Sequence, residues 1–306
     1  MGQFYGNRPT IGGCIKLGAM AEARNPGVLY VVATPIGNLE DITYRAVRVL
    51  KEADLIACED TRQTRKLLDH YGIGQPMVSY HEHNENERAQ ELLEKLKAGA
   101  TIAQVSDAGM PGISDPGYRV VKLAIEHGIQ VVPIPGASAV IAALSASGLA
   151  TDAFEFRGFL PAKAGQRRTA LEQVRSQQST VIFYEAPHRI VESLEDVVRI
   201  LGPERRVVIA RELTKIHEEF IRGTAQVVLK MARSREFKGE ITLLVGKAKT
   251  SVGSEVEKDL RTRLEDLMRE QKLDEKAALK VLAKETGQSK SEVYRELQRK
   301  RSGDRA

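Results

Sequence analysis

Three loops carry the residue types best suited to holding a ligand. The densest is Ser106-Asp107-Ala108-Gly109-Met110-Pro111-Gly112-Ile113-Ser114-Asp115-Pro116-Gly117, which sets glycines, prolines and two carboxylates behind an apolar run. A reverse turn needs only two or three such residues, so the surplus points to a surface shaped for a bound molecule. Thr34-Pro35-Ile36-Gly37-Asn38 is shorter and, read alone, is equally a plain tight turn. Ile134-Pro135-Gly136-Ala137-Ser138-Ala139 ends an apolar run and opens a helix with small residues, which lets a ligand approach free N–H groups. In open α/β sheets ligands bind beyond the carboxyl ends of strands, so the expectation is that all three loops meet at one crevice. None of them has the G-x-G-x-x-G spacing of a dinucleotide site, which argues against nicotinamide or flavin chemistry.

The elements that must position these loops alternate along the chain. Residues 28–34, 55–59, 101–106 and 130–134 read as strands separated by helical patterns, and their nearly unbroken apolar character predicts a parallel sheet with helices on both faces. Asp115 before Pro116 reads as a helix cap followed by proline at the first helical position, with the helix running to Gly128. After a change of composition at residues 148–152, the stretches 154–160, 180–184, 206–210, 219–222 and 240–245 predict a second, mixed sheet. Residues 250–254 read as a linker. Beyond them Leu260, Leu264, Leu267 and Met268, then Ala278, Val281 and Leu282, then Val293 and Leu297 keep helical spacing. The expected organisation is a flexible extension over 1–26, an α/β domain over 27–148, a second over 149–249 and a small helical domain over 255–306.

Composition narrows the class without naming a function. At 306 residues with 42% hydrophobic and 28% charged residues, the chain has the material for about two cores and is too apolar for disorder. Its apolar runs, such as residues 137–144, fall far short of the roughly 20 residues of a membrane helix. Two cysteines, Cys14 and Cys58, build neither a disulfide framework nor a zinc site, which fits a reducing cytoplasm. A net charge of +5 is compatible with a nucleic-acid partner and does not require one.

Five stretches in order carry a resemblance. They are Ala33-Thr34-Pro35-Ile36-Gly37-Asn38-Leu39-Glu40-Asp41, Glu59-Asp60-Thr61-Arg62, the loop from Ser106 to Gly117, Phe183-Tyr184-Glu185-Ala186-Pro187-His188-Arg189, and Ala210-Arg211-Glu212-Leu213-Thr214-Lys215. Over about residues 27–248 the chain resembles the small-subunit rRNA methyltransferase branch of the tetrapyrrole methylase superfamily. The resemblance implies two α/β domains with S-adenosylmethionine in the cleft between them, usually in a homodimer. It also implies 2′-O-methylation of a cytidine in the decoding region of 16S rRNA, as naked rRNA or in the assembled small subunit. Carried over by residue, the cofactor contacts are Pro35, Ile36 and Gly37; Asp107, Ala108, Gly109, Met110 and Ser114; and Pro135, Gly136, Ala137 and Ser138. The second domain adds Tyr184, Glu185, Ala210, Arg211, Glu212, Gly239 and Glu240. Corrinoid and porphyrin methylases of the superfamily typically show G-x-G-P-G and G-D-P at the first two loops, whereas this chain has Thr34-Pro35-Ile36-Gly37 and Ser106-Asp107-Ala108.

A ribose hydroxyl is a weak nucleophile, so a positioned base would speed its methylation. Glu59, Asp60 and His81 are the main candidates, with Asp107, Asp115 and His83 beside them; Asp60 is equally a helix cap. His81 and His83 flank Glu82 but lack a third ligand nearby, so no metal site is expected. Candidate RNA contacts are Arg62, Arg65, Lys66, His83, Asn84, Lys163, Arg167, Arg168 and Lys215. Tyr80 suits either base stacking or core packing. Two rival readings stay open: a methylase of a tetrapyrrole precursor, and a nucleic-acid-binding regulator. The second rests on helix-turn-helix spacing of Ala283, Gly287 and Val293, with Lys290, Arg295, Arg299, Lys300 and Arg301 in or beyond the second helix.

Overall fold

The computed structural model describes residues 27–248, 260–270, 273–286 and 289–295. The extension read at 1–26, the linker at 250–254, and Gly287, Leu297, Arg299, Lys300 and Arg301 lie outside the described residues. In the first half β1 (Val28–Val32), α1 (Tyr44–Glu52), β2 (Leu55–Cys58), α2 (Thr61–His70), β3 (Met77–Ser79), α3 (Glu85–Lys97), β4 (Ile102–Val105), α4 (Tyr118–Glu126) and β5 (Gln130–Ile134) build a parallel sheet of order β3-β2-β4-β1-β5. Ala46, Val49 and Leu50 of α1 and Leu68 of α2 cover one face, and Leu92, Leu93 and Leu96 of α3 with Val120 and Ala124 of α4 cover the other. This is the two-sided burial that the apolar strands require. Strands β4, β1 and β5 are adjacent and parallel, so the three Gly/Pro loops leave the sheet side by side.

Asp115 does not cap a helix. Helix α4 starts at Tyr118, behind Gly117 at φ 152°, and the Asp115-Pro116 pair stays in the loop. Tyr80 is core: it is 1% exposed, and its hydroxyl donates to Glu85 Oε1 at 3.1 Å and accepts from the Val120 N–H. Cys58 is fully buried, and burial pushes its thiol up to about 11. Because the thiolate is the reactive form, Cys58 should resist alkylation in the native protein and react on unfolding. Mass mapping after an iodoacetamide pulse tests this, and modification of the folded protein at Cys58 would contradict the burial.

In the second half α5 (Ala139–Ser147), β6 (Phe154–Phe159), α6 (Ala164–Gln173), β7 (Thr180–Glu185), α7 (Ile190–Leu201), β8 (Arg206–Arg211), β9 (Glu219–Thr224), α8 (Ala225–Arg233) and β10 (Ile241–Val245) form the expected mixed sheet, of order β6-β7-β10-β8-β9. Only β6 and β7 are parallel. Helices α6, α7 and α8 cover one face. The other face is covered by Val140, Ala143 and Leu144 of α5, which pack with Ile182, Val208, Ala210 and Leu244. Arg222 of β9 donates to the Ala146 and Ser147 carbonyls at the end of α5. Packing therefore joins α5 to the second sheet, although it lies before the boundary expected at 148. Helices α9 (Leu260–Glu270) and α10 (Glu275–Thr286) and a short helix over 290–295 share a separate core that includes Leu267, Leu282, Ala283 and Val293.

Candidate active site

The three loops do converge. Thr34 N–H donates to the Gly109 carbonyl at 2.9 Å and Gly109 N–H returns a bond at 3.1 Å, while Thr34 Oγ1 donates to the Ser106 carbonyl at 3.0 Å. Ala33 N–H bonds the Ile134 carbonyl, and a Cβ on Gly136 would lie 2.9 Å from that of Ala33, so only glycine fits there. Against these loops stand the ends of β7 and β8 and the start of β10. Between the two sets lies a cavity of about 380 Å³, within the range of small-molecule sites.

Of the cofactor contacts expected from sequence, Ile36, Ala108, Gly109, Met110, Ser114, Ser138, Tyr184, Glu185, Ala210, Gly239 and Glu240 line this cavity. Pro35, Gly37, Asp107, Pro135, Gly136, Ala137, Arg211 and Glu212 do not. Several of them, Gly37, Asp107, Pro135 and Gly136 among them, are exposed on the loops that carry the wall. Glu212, at φ 51°, exchanges hydrogen bonds with Glu240 through both backbones and its own carboxylate, and a Cβ on Gly239 would run into that carboxylate. Arg211 bonds Glu219 and the Lys238 carbonyl. Sequence reasoning missed Ile113, Ala139, Phe159, Ala186, Pro187, Leu213, Ile241 and Thr242; Asp115, read there both as a helix cap and as a candidate base, lines the wall.

The wall is acidic. Burial pushes Asp115 up to about 6, helped by Asp107 and opposed by a hydrogen bond from Ser106. Burial also raises the Tyr184 phenol to about 12, with Asp115 and Glu240 adding to it. Glu185 lies in the wall but is fully satisfied by Arg189, Ser193 Oγ and the Ala186 N–H. Burial, then the neighbouring Asp115 and Asp107, raises the Glu59 carboxyl, which stands outside the cavity wall.

Several assignments change. Asp60 caps α2 by accepting from the Arg62 N–H at 2.8 Å, and hydrogen bonds from the Arg62 side chain and backbone hold it at about 2. A carboxylate that acidic is a poor base. His81 is also outside the wall: its backbone N–H donates to Asn84 Oδ1 and its Nε2 lies 3.3 Å from Asn84 Nδ2, so the loop engages Asn84 internally. Arg167 is buried against Asp196, not held out for phosphate, and Arg168 bonds the same carboxylate. Burial works against the Lys215 ammonium, but Glu212 and Glu240 outweigh it and hold it above the usual lysine range. Its stem lies against Gly37, which ties the first loop to the second half. Arg62, Arg65, Lys66, Lys163 and His83 remain at the surface.

The sequence profile of Tetrapyrrole (Corrin/Porphyrin) Methylases matches residues 28–228, a span that supplies most of both cavity walls. The chain belongs to the tetrapyrrole methylase family. Among curated relatives, the protein named ribosomal RNA small subunit methyltransferase I of Halalkalibacterium halodurans is 58% identical over 219 residues, covering 72% of this chain and 75% of the relative. The Synechocystis protein of the same name is 50% identical over 269 residues, covering 88% and 96%. Solved structures of this methylase fold include diphthine synthase, at TM-score 0.56 and 15% identity over 72% of this chain and 90% of that one. Another is the Thermus thermophilus uroporphyrin-III C-methyl transferase complexed with S-adenyl homocysteine, at TM-score 0.51 and 21% identity over 72% and 98%.

Proposed function

We propose that this methylase transfers the methyl group of S-adenosylmethionine to the ribose 2′-hydroxyl of a cytidine in the decoding region of 16S rRNA. The observation that carries the reading is the cavity between the two sheets with the Asp115 carboxyl in its wall, in a chain 58% identical to a protein named for small-subunit rRNA methylation. The donor set fits the cofactor. S-adenosylmethionine bears a sulfonium and an ammonium, and the wall offers the Asp115 carboxyl and that of Glu240, whose Oε2 also holds Lys215. Ala108, Gly109, Ala210 and Gly239 add no bulk to the wall. When bound, the cofactor supplies an electrophilic methyl group.

The remaining work falls to the protein. Positioning is the larger share, because an in-line displacement needs its reacting atoms held within about 3–3.5 Å. Asp115 takes the hydroxyl proton in this reading, since it faces the cavity and titrates near 6. Glu59 and His81 lie outside the cavity wall and take no part in the proton transfer in this reading. Arg62, Arg65, Lys66 and Lys163 are the proposed phosphate contacts, with His83 beside them, and the enzyme acts in the cytoplasm as a homodimer. No helix among the described residues is long and apolar enough to cross a membrane.

The test is methyl transfer from labelled S-adenosylmethionine to unmethylated small subunits and to naked 16S rRNA, with mass mapping of the modified nucleotide. A single 2′-O-methylcytidine in the decoding region is expected. Transfer to a porphyrin or corrinoid precursor and to neither RNA would overturn the reading.

A further inference from the structure

Two large apolar side chains at the cavity stand in solvent: Phe159 is 59% exposed and Ile113 48% exposed, yet both line the wall. Each is put there by a backbone irregularity. The pairing of β6 with β7 slips between Phe156 and Phe159, with Gly158 at φ 65°, and this swings Phe159 out over the rim. On the facing loop Ser114 adopts φ 64°, a conformation that is costly for a non-glycine residue. The two irregularities meet, since a Cβ on Gly158 would lie 3.6 Å from Ser114 Oγ. Strain of this kind collects at sites that use it.

The Phe159 ring is held by more than chance. It packs edge-on against Tyr184 with centroids 5.4 Å apart, while Phe156 packs against Tyr184 at 4.9 Å. One aromatic face is thereby fixed in orientation and left open. Exposed flat apolar surface at the mouth of a cavity that holds a carboxyl is the chemistry that a nucleobase recognises, because stacking on an aromatic ring buries the base and leaves its polar edge free. Ile113 supplies an apolar surface on the adjoining loop. Asp115 is two residues beyond Ile113, so their Cα atoms are at most about 7 Å apart. A base held at the rim therefore keeps its ribose close to the carboxyl inside.

We infer that Phe159 and Ile113 form a nucleobase subsite that holds the acceptor nucleotide by stacking at the mouth of the cavity. This rests on the RNA-methylating reading and names the contact with which that reading engages its substrate. It also replaces Tyr80, which is buried, as the stacking residue.

The chain contains no tryptophan, so Phe159→Trp places one reporter at the rim. Its fluorescence should be quenched on titration with a single-stranded RNA oligonucleotide containing cytidine, without any turnover. With unmethylated small subunits, Phe159→Ala should raise KM for RNA about 10- to 100-fold, as expected for loss of one stacked base. Phe159→Tyr should restore it. Because Phe159 also lines the cofactor cavity, its Ala variant is scored by the ratio of the two effects: the loss of S-adenosylmethionine affinity, measured by titration calorimetry, should stay well below the roughly tenfold or greater effect on RNA. Unchanged KM for RNA, loss of cofactor affinity instead, or a changed oligomeric mass in Phe159→Ala would each overturn the subsite. Failure of the wild-type enzyme to methylate RNA counts against the proposed function, whereas the tryptophan titration still reports on the subsite.

Discussion

Asp115→Asn should slow methyl transfer by about 10²- to 10⁴-fold, the range for losing a general base, while making the folded protein more stable. A carboxyl that titrates at about 6 is ionised at neutral pH against its surroundings, chiefly because burial disfavours its charge. Relative to an unfolded chain, where aspartate titrates near 4, the folded state binds the proton more tightly. The stability Asp115 contributes is thus fully present below about pH 4 and is lost as pH rises through about 6. Asparagine removes the charge and the penalty with it. Discounted for solvent screening at a half-buried site, the gain is about 1 kcal/mol at neutral pH, or roughly 2–4 °C in Tm, and none near pH 4. In the wild type the rate should climb with pH through about 6 and then level off, and in the variant that limb should vanish. Thermal melts and a pH–rate profile check both halves, and full activity in Asp115→Asn would remove it as the base.

Arg167→Ala should do the reverse, lowering stability steeply and leaving RNA recognition alone. Arg167 and Asp196 have side chains only 4% and 6% exposed, with Nε donating to Oδ2 at 2.8 Å, and Arg167 also reaches the Ala162 carbonyl and Glu192. Breaking a buried pair from one side strands the other charge and costs about 3–5 kcal/mol. For a domain of this size that is roughly 10 °C in Tm. Arg168 at 2.9 Å still holds the other oxygen of Asp196, which favours the lower end of that range. The fraction that folds should keep its KM for RNA. A lysine on the surface behaves oppositely: Lys163→Ala should leave Tm unchanged and weaken RNA binding, with the salt slope falling by about one. A rise in KM for RNA without loss of Tm in Arg167→Ala would return that residue to the RNA surface.

The loops were legible in sequence because their composition was excessive for turns, and the adjacency of β4, β1 and β5 makes that excess into one site. The strands were legible by their apolar runs, except β3, whose three half-buried residues are too few for any period to register. Asp115 was misread because an Asp-Pro pair has the same local signature whether it caps a helix or waits one turn ahead of it; Gly117 decides the matter through its backbone. Ile241 and Thr242 could not be read as wall because they sit within a strand whose pattern reports only burial. Arg167 and Lys215 illustrate the limit for charges: one-dimensional spacing does not reveal the carboxylates from α7 or from the start of β10 that neutralise them.

Helix α5 gives the molecule an unexpected mechanical joint. Since α5 is clamped to the second sheet by its apolar face and by Arg222, the covalent link between the two packed halves is the stretch Pro135-Gly136-Ala137-Ser138, where the chain leaves β5, while Lys215 against Gly37 joins them through space. That same stretch runs along the ligand cavity, through Ser138. Linker and cavity wall are thus one segment, so any shift of one half against the other would be felt at Ser138, within the wall itself.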